Sequence, residues 1–319
     1  MNKDQTLKML KDTDISDFPA FYTISYNRTK QLPTVNKIMN SFSEEALKMS
    51  YIVVREEQED FYRELHKDII DRGCNLLVIP DGEVTGVGST RNWVIRHAHS
   101  NGYDIACCFD DDLTGIGVLF ESVSKKGEPS SGAFRAGEIR AIDNFHQLVL
   151  QAIGKVSREI FELHPEAIIG NIRKVRFSNK SDNATTKYKI NKGGTPRQTN
   201  IYNVKVMMEN NILVPDCFDK HGDDIGFAAH ALENGYSVFN LPWATYSYVP
   251  ETVASTLRDV DEEKNRHIHE EEYKNLMNME IKDYLRFTKT YDDGSYMYGD
   301  VAWQRYHKLK GTKPVVVSW

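Results

Sequence analysis

The chain has 319 residues, 40% of them hydrophobic and 27% charged, with a net charge of −6 and four cysteines. That is enough chain for a substantial core in one large domain or two small ones. It excludes a disulfide scaffold and a low-complexity chain, and no apolar run approaches the roughly 20 residues that span a bilayer.

Residues 1–20 read as a lead-in whose start, Met1 to Gln5, lacks a basic-then-apolar leader pattern, so a cytoplasmic location is expected. Cys74, Cys107, Cys108 and Cys217 have no CxxC spacing and read as buried free thiols in a reducing compartment. Phe21 to Tyr26 reads as a first strand ending in Asn27-Arg28, and Pro33 opens a helix to about Asn40. Tyr51 to Val54 is a second strand. Glu59 to Arg72 has Phe61, Leu65 and Ile69 at helical spacing and stops at Gly73. Asn75 to Pro80 is a third strand. A glycine-rich loop, Asp81 to Gly88, leads to Ser89 as the expected N-cap of a helix through Arg91, Trp93, Ile95 and Ala98. The alternation of strands and helices predicts an α/β fold with a mixed, mainly parallel sheet flanked by helices.

The fourth strand, Tyr103 to Cys108, runs into Phe109-Asp110-Asp111-Asp112-Leu113. Three carboxylates at the mouth of a buried strand are costly unless a positive partner neutralises them, and a hard divalent cation suits carboxylate oxygens. Loop-like sequence follows, most flexible over Lys125 to Gly132. Asp143 to His164 is a helix with an apolar stripe. Ile201 to Met208 is a strand or short helix, Asp223 to Asn234 an amphipathic helix, and Ser237 to Pro242 a strand. Residues 251–319 are expected to form a helical C-terminal extension, charged and helical over 261–288, and no internal repeat is evident.

In open α/β sheets ligands bind beyond the carboxyl ends of the strands. The triple aspartate, Ser25-Tyr26-Asn27-Arg28 and the Gly86–Ser89 loop all fall at such ends. The loop enters a helix, so the amides around Gly88 could meet phosphate oxygens, and Arg91 could add a forked donor. A second acidic pair, Asp223-Asp224, precedes a helix, either as a simple cap or as a general base for an acceptor hydroxyl. Between Asn171 and Lys205, nine Lys/Arg face one acid, so that segment carries +8 and the remainder −14. Either it is a solvated loop or it contacts a polyanion through Arg173, Lys174, Arg176, Lys187, Lys189, Lys192 and Arg197. Tyr188, Tyr202, Trp243, Tyr246 and Tyr248 could stack on a base, although core packing is the simpler reading for most.

These residues, in this order, resemble a GT-A type glycosyltransferase. Asp110-Asp111-Asp112 matches the Asp-x-Asp motif and Asp223-Asp224 the later acidic motif, over residues 20–245. The string Gly88-Ser89-Thr90-Arg91-Asn92-Trp93, with His97-Ala98, Gly102-Tyr103 and Phe109 to Leu113, is more specifically similar to the TET-associated glycosyltransferases over 75–120. Those are largely phage enzymes implied to glycosylate hydroxymethylated pyrimidines in DNA. The resemblance implies a GT-A-like (Rossmann-like) catalytic domain over 21–250. Its 21–120 half would take the nucleotide sugar and metal, and its 121–250 half the acceptor.

It also implies a nucleoside-diphosphate sugar donor, UDP-sugar being the expectation, with Mn²⁺ or Mg²⁺. Ser25, Tyr26, Asn27 and Arg28 would line the base and ribose pocket. Gly88, Arg91, Asp110 and Asp111 would serve the rest of the donor. Asp112 would be the most direct metal ligand, with Asp110 and with His267 or His269. Asp224, or less directly Asp223, would be the base, and DNA would lie on the 171–205 segment.

Three alternatives stay open. Cys107 to Thr114 also resembles the Asp-x-Asp-x-Thr motif of haloacid-dehalogenase-like phosphatases, with Asp110 as nucleophile, although three strand–helix units precede it. The acceptor could be protein or polysaccharide. A non-catalytic nucleic-acid-binding protein on a degenerate transferase fold would leave the acidic clusters without a use.

Overall fold

The computed structural model describes residues 1–28, 30, 32–174, 182–193, 195–220, 222–248, 262–288 and 298–319, without the side chains of 182, 262–269, 281, 288, 298 and 299. Arg176 and the side chains of His267 and His269 therefore lie outside the described residues. The strands are β1 (Ala20–Ile24), β2 (Ser50–Arg55), β3 (Asn75–Ile79), β4 (Ile105–Asp110), β5 (Leu113–Val123), β6 (Pro129–Ala133), β7 (Ala167–Lys174), β8 (Thr186–Ile190), β9 (Thr199–Asn203), β10 (Ser237–Tyr248), β11 (Leu285–Thr288), β12 (Tyr298–Val301) and β13 (Val315–Ser318).

The main sheet runs β13-β8-β10-β7-β9-β4-β1-β2-β3, with β5 on β10 and β6 on β5, while β11 and β12 form a separate hairpin. Following the pairings, β9, β8 and β5 run against the other eight strands, so the sheet is mixed and mainly parallel in sense. β4 lies between β1 and β9, deep inside the sheet.

Strands buried on both faces should read as near-continuous apolar runs, and β4 (IACCFD) is buried up to its last residue. In the β1–β4 register Phe21 faces Cys107 and Tyr22 faces Cys108. Side-chain alternation sends Phe21, Cys107 and Phe109 into one core with the helix Phe145–Leu163, and Tyr22, Ala106 and Cys108 into the other with the helices Val87–Ser100 and Asp223–Glu233. Both helical layers thus hold the aspartate corner from opposite sides. Among the described residues no helix is long and apolar enough to cross a membrane.

Several local expectations need correction. The helix expected over 59–72 breaks at His66 into Glu59–Leu65 and Lys67–Asp71. It buries Tyr62 completely and leaves Phe61 47% exposed, because the Tyr62 hydroxyl is drawn to Ser25 and to the Arg28 amide. Ser89 is not the N-cap. Gly86 caps the helix and Ser89 lies at its third position, where its hydroxyl accepts from the Gly86 amide. The segment after the aspartates is an antiparallel hairpin, β5–β6, rather than loop, and Gly115 and Gly117 pair with Ser247 and Thr245 of β10. β10 continues past Pro242, which sits where the β7 register slips between Leu241 and Thr245, a place a sheet tolerates proline. The 201–208 segment is a strand followed by the helix Val204–Glu209. The C-terminal region is not wholly helical, since it contributes the β11–β12 hairpin and puts β13 on the edge of the main sheet beside β8. Cys217 is exposed, while the other three cysteines are buried.

The helix Phe145–Leu163 packs on the N-terminal segment at Gly154, where a Cβ would stand 2.0 Å from the Asp17 carbonyl oxygen. Alanine would ordinarily gain up to about 1 kcal/mol in a helix. Here the clash should win, so Gly154→Ala should destabilise by about 1–3 kcal/mol. A urea-unfolding midpoint at or above that of the wild type would show that the approach relaxes freely.

Candidate active site

The corner after β4 is built by short-range bracing. Thr34, in the first turn of the helix Pro33–Lys37, donates its hydroxyl to the Asp110 carbonyl (2.6 Å) and accepts from the Leu113 amide (3.0 Å). Its own amide donates to the Asp111 carbonyl (3.1 Å). The three carboxylates then separate into three environments. Asp111 is 4% exposed. It accepts from Arg28 Nε (2.8 Å), Arg28 Nη2 (2.7 Å) and Ser25 Oγ (2.6 Å), a forked ion pair closed by a hydroxyl. The Tyr62 hydroxyl lies 2.8 Å from Ser25 Oγ and accepts from the Arg28 amide (3.1 Å). Arg28, Ser25 and Asp111, expected to face the nucleotide, are therefore first of all one buried brace.

Asp110 accepts from Arg91 Nη2 at 3.2 Å, and burial holds its carboxyl up at about 6 against the pull of that guanidinium. Asp112 meets the side-chain amide of Gln198 at 3.3 and 3.4 Å. Burial, then Asp110 and Asp111, push Asp112 up to about 7. Gln198 also accepts the Asp110 amide through its carbonyl (2.9 Å). Sequence reading missed Gln198 and Thr34; Pro33 marked the helix start but nothing local marked Gln198, which lies 86 residues from Asp112.

Arg91 is 4% exposed and joins the two acidic motifs. Its Nε donates to Asp223 Oδ2 (2.6 Å) while Nη2 reaches Asp110, so residues 113 positions apart share one guanidinium. Desolvation works against its charge, but Asp223 and then Asp110 hold it firmly protonated. Expected to meet the donor directly, Arg91 is instead engaged by the protein. Asp224, on the next turn position, has Arg197 Nε at 3.8 Å, and burial followed by the Asp223 charge raises its carboxyl above the usual range. Asp223 is thus paired directly with Arg91, while Asp224 has its nearest guanidinium at the longer distance. Glu272, in the helix Glu262–Asn278, also faces Asp224 and packs on Gly222.

The Gly86–Ser89 loop does not stand open to a phosphate. The Gly88 amide donates to the Asp219 carbonyl (2.8 Å), and the Asp219 carboxylate accepts from the Ser89 amide and the Thr85 hydroxyl. Burial opposes that carboxylate, but these bonds hold it below the usual range. An acidic side chain from the 216–219 turn thus fills the helix N-terminus. On the other side of β1, Tyr26 lies beneath the Arg55 guanidinium (4.1 Å to the ring centroid) and the Asn27 amide donates to Gln58 Oε1 (2.9 Å).

The basic segment is dispersed. Arg173 and Lys174 end β7 and are exposed; Arg173 donates to Asn183 (2.6 Å) and Lys174 to the Tyr248 hydroxyl (2.7 Å). Lys187 pairs with Glu159, and Lys192 is exposed. Lys189 lies half-buried on β8. Arg197 reaches the second acidic motif at Asp224. Tyr188, Tyr202, Trp243 and Tyr246 are buried, so of the aromatics considered for stacking Tyr248 alone is half-exposed.

Among the described residues no three Asp, Glu, His or Cys side chains already converge as a cation cage. A small hard cation takes one or two carboxylates and completes its shell with water and substrate phosphate. Asp112, with Asp110 beside it, carries unbalanced negative charge of the kind such an ion relieves, so the residues present fit it.

Residues 20–152 match the family model described as TET-Associated Glycosyltransferase, a longer stretch than the residues on which the resemblance rests. No curated protein matches the chain. Among solved structures, S. aureus TarS 1–349 is similar at 15% identity and a TM-score of 0.40, covering 82% of this chain and 65% of that one. The mannosyltransferase PcManGT from Pyrobaculum calidifontis, in complex with GDP-Man and Mn²⁺, gives 12%, 0.40, 82% and 65%. GalNAc-T7 with UDP, GalNAc and Mn²⁺ gives 8%, 0.44, 85% and 50%. The chain thus spans just under two thirds of the first of these, and at such scores the likenesses add nothing about residue roles.

Proposed function

We propose that this chain is a metal-dependent glycosyltransferase that moves a sugar from a nucleoside-diphosphate sugar, expected to be a UDP-sugar, to an acceptor hydroxyl. The expected acceptor is a hydroxymethylated pyrimidine in phage DNA. The observation that carries the reading is the guanidinium of Arg91 bonded to both Asp110 and Asp223, which joins the two acidic motifs in one corner. The family match over residues 20–152 supports the same reading.

In this reading Asp112 and Asp110 hold Mn²⁺ or Mg²⁺, which when bound supplies Lewis-acid stabilisation of the departing nucleoside diphosphate. Asp224 takes the proton of the acceptor hydroxyl while its oxygen forms a bond to the sugar's anomeric carbon and the bond from that carbon to the diphosphate breaks. Arg28 and Asp111 keep the base-side pocket rigid. Arg173, Lys174 and Lys192 offer the exposed charge for a phosphate backbone, with Tyr248 as the accessible ring.

The test is a panel of sugar nucleotides with Mn²⁺, monitored for nucleoside diphosphate release, followed by plain and hydroxymethylated DNA monitored for added mass. Release without mass gain on either DNA, but gain on a protein or polysaccharide, would sink the DNA acceptor. Capture of an aspartyl-phosphate analogue on Asp110 would sink the transferase. A proton acceptor must be ionised, and the Asp224 carboxyl is raised. Turnover should therefore climb with pH along a limb lying above the ordinary carboxylate value of about 4. Asp224→Asn should lower turnover by about 100-fold or more and flatten that limb; a limb that survives in this variant would assign it to another group.

A further inference from the structure

The loop between β8 and β9 carries both Gln198, on Asp112, and Arg197, on Asp224. Its two ends are fixed in different ways. At its far end the Gln198 carbonyl accepts the Asp110 amide, and the Arg197 carbonyl accepts from Asn200 Nδ2 (2.8 Å) and Arg91 Nη2 (3.4 Å). At its near end Asn191 pairs with Val238 of β10, and Gly193, at φ +126°, leaves no room for a Cβ beside Asn240 Nδ2. The middle of the loop is held from outside the main sheet. The Thr195 hydroxyl, on a residue 5% exposed, donates to Asp300 Oδ1 at 2.6 Å. Asp300 is on β12, and its Oδ2 accepts from Arg286 Nη2 (3.0 Å), its register partner on β11. His307, in the helix Trp303–Lys310, donates Nε2–H to the Asn191 carbonyl (2.7 Å), with Nδ1 on the Thr312 hydroxyl (3.0 Å).

The hairpin that supplies Asp300 is itself anchored. Leu285 and Val301 are 3% and 1% exposed and belong to the core formed with the helices Val87–Ser100 and Asp223–Glu233. A short, partly buried, charge-assisted hydrogen bond is stronger and more directional than a neutral one, and it ties the loop to the hairpin.

We propose that Asp300 is a positioning residue: through Thr195 the C-terminal hairpin clamps the loop that sets Gln198 against Asp112 and Arg197 against Asp224. Asp300 touches no reacting atom. The clamp rests on the transferase reading for its effect on turnover, but not for its effect on the loop. Misplacing a supporting group by a fraction of an ångström is enough to lower turnover by tenfold or more.

The experiment combines Thr195→Val, Asp300→Ala, their double variant and Thr195→Ser. Three quantities are read on the full chain: Mn²⁺-dependent sugar-nucleotide hydrolysis, the melting temperature, and hydrogen–deuterium exchange over 195–199. The expected result is a fall of about tenfold in kcat for each of Thr195→Val and Asp300→Ala, with little change in donor KM. The double variant should be no worse than either single one, because both break the same bond. Thr195→Ser should restore wild-type rates, and exchange over 195–199 should rise in every variant that loses the bond. Independent, multiplying losses in the double variant would overturn the clamp. So would a lowered melting temperature with unchanged turnover per folded molecule. If the wild type releases no nucleoside diphosphate, the transferase reading falls instead. Exchange alone then decides the clamp: faster exchange in both variants upholds it, and unchanged exchange overturns it.

Discussion

Asp112→Asn should abolish metal-stimulated release of nucleoside diphosphate and, at the same time, make the metal-free protein more stable at pH 8. The two effects have one cause. Burial and the neighbouring Asp110 and Asp111 raise the Asp112 carboxyl to about 7 in the folded chain, against about 3.9 when unfolded. A group whose folded value is raised binds its proton more tightly in the native state. The stability it allows is therefore present at low pH and is lost as pH climbs from about 4 through about 7. Above that window the ionised Asp112 opposes folding, and an uncharged isostere does not. On the proposed function Mn²⁺ would supply the missing counter-charge in the wild type, so the metal should raise its melting temperature and should not raise that of Asp112→Asn. Thermal melts of both proteins at pH 5 and 8, with Mn²⁺ and with a chelator, settle the matter. A variant that melts below the wild type without metal at pH 8, or that still gains from Mn²⁺, would remove Asp112 from the metal site.

Arg91→Met should be the most destabilising of the single substitutions considered. The side chain is almost wholly inside the protein and neutralises two carboxylates that themselves lie 30% and 14% exposed. Breaking a buried pair by removing one partner leaves the other charge unsatisfied, which costs about 3 kcal/mol or somewhat more. Methionine fills much of the volume, so the loss is electrostatic rather than a cavity. Adding Asp223→Asn to Arg91→Met should recover part of it, since removing both members of a pair is far cheaper than removing one. Denaturant unfolding of the two variants checks this. A single variant within about 1 kcal/mol of the wild type would mean that water already screens the bridge.

The parts of this molecule that were legible in sequence are those whose signals are local. β1 to β4, the helix after β3 and the long helix Phe145–Leu163 follow from apolar runs, helical spacing and glycine stops. The triple aspartate announces itself because carboxylates rarely end an apolar strand. The misread parts are those decided by a distant partner. β5 has glycines at 115 and 117 and reads as loop until β10, some 130 residues on, pairs with it. The break at His66 and the burial of Tyr62 follow from a hydroxyl needed beneath Ser25. The glycine loop looks like a phosphate cradle because nothing in its own residues tells of Asp219, which occupies it. Arg91 illustrates the same point within the site. Its residue type and its place at the start of a helix identify it as important, while its partners, one before and one after a gap of 113 residues, emerge only from the fold.

Cys217 gives the molecule a ready-made attachment point. Three thiols, Cys74, Cys107 and Cys108, are sealed in the sheet, where burial raises them far from reactivity, whereas Cys217 is exposed on the turn that runs into the second acidic motif. Its carbonyl is also tied to Asn275 of the helix Glu262–Asn278. A nitroxide placed on this single exposed thiol sits six positions from Asp223 without any engineered cysteine. If Mn²⁺ binds at Asp112 as proposed, it and the nitroxide form a spectroscopic ruler, built from native residues, between the two acidic motifs of the corner.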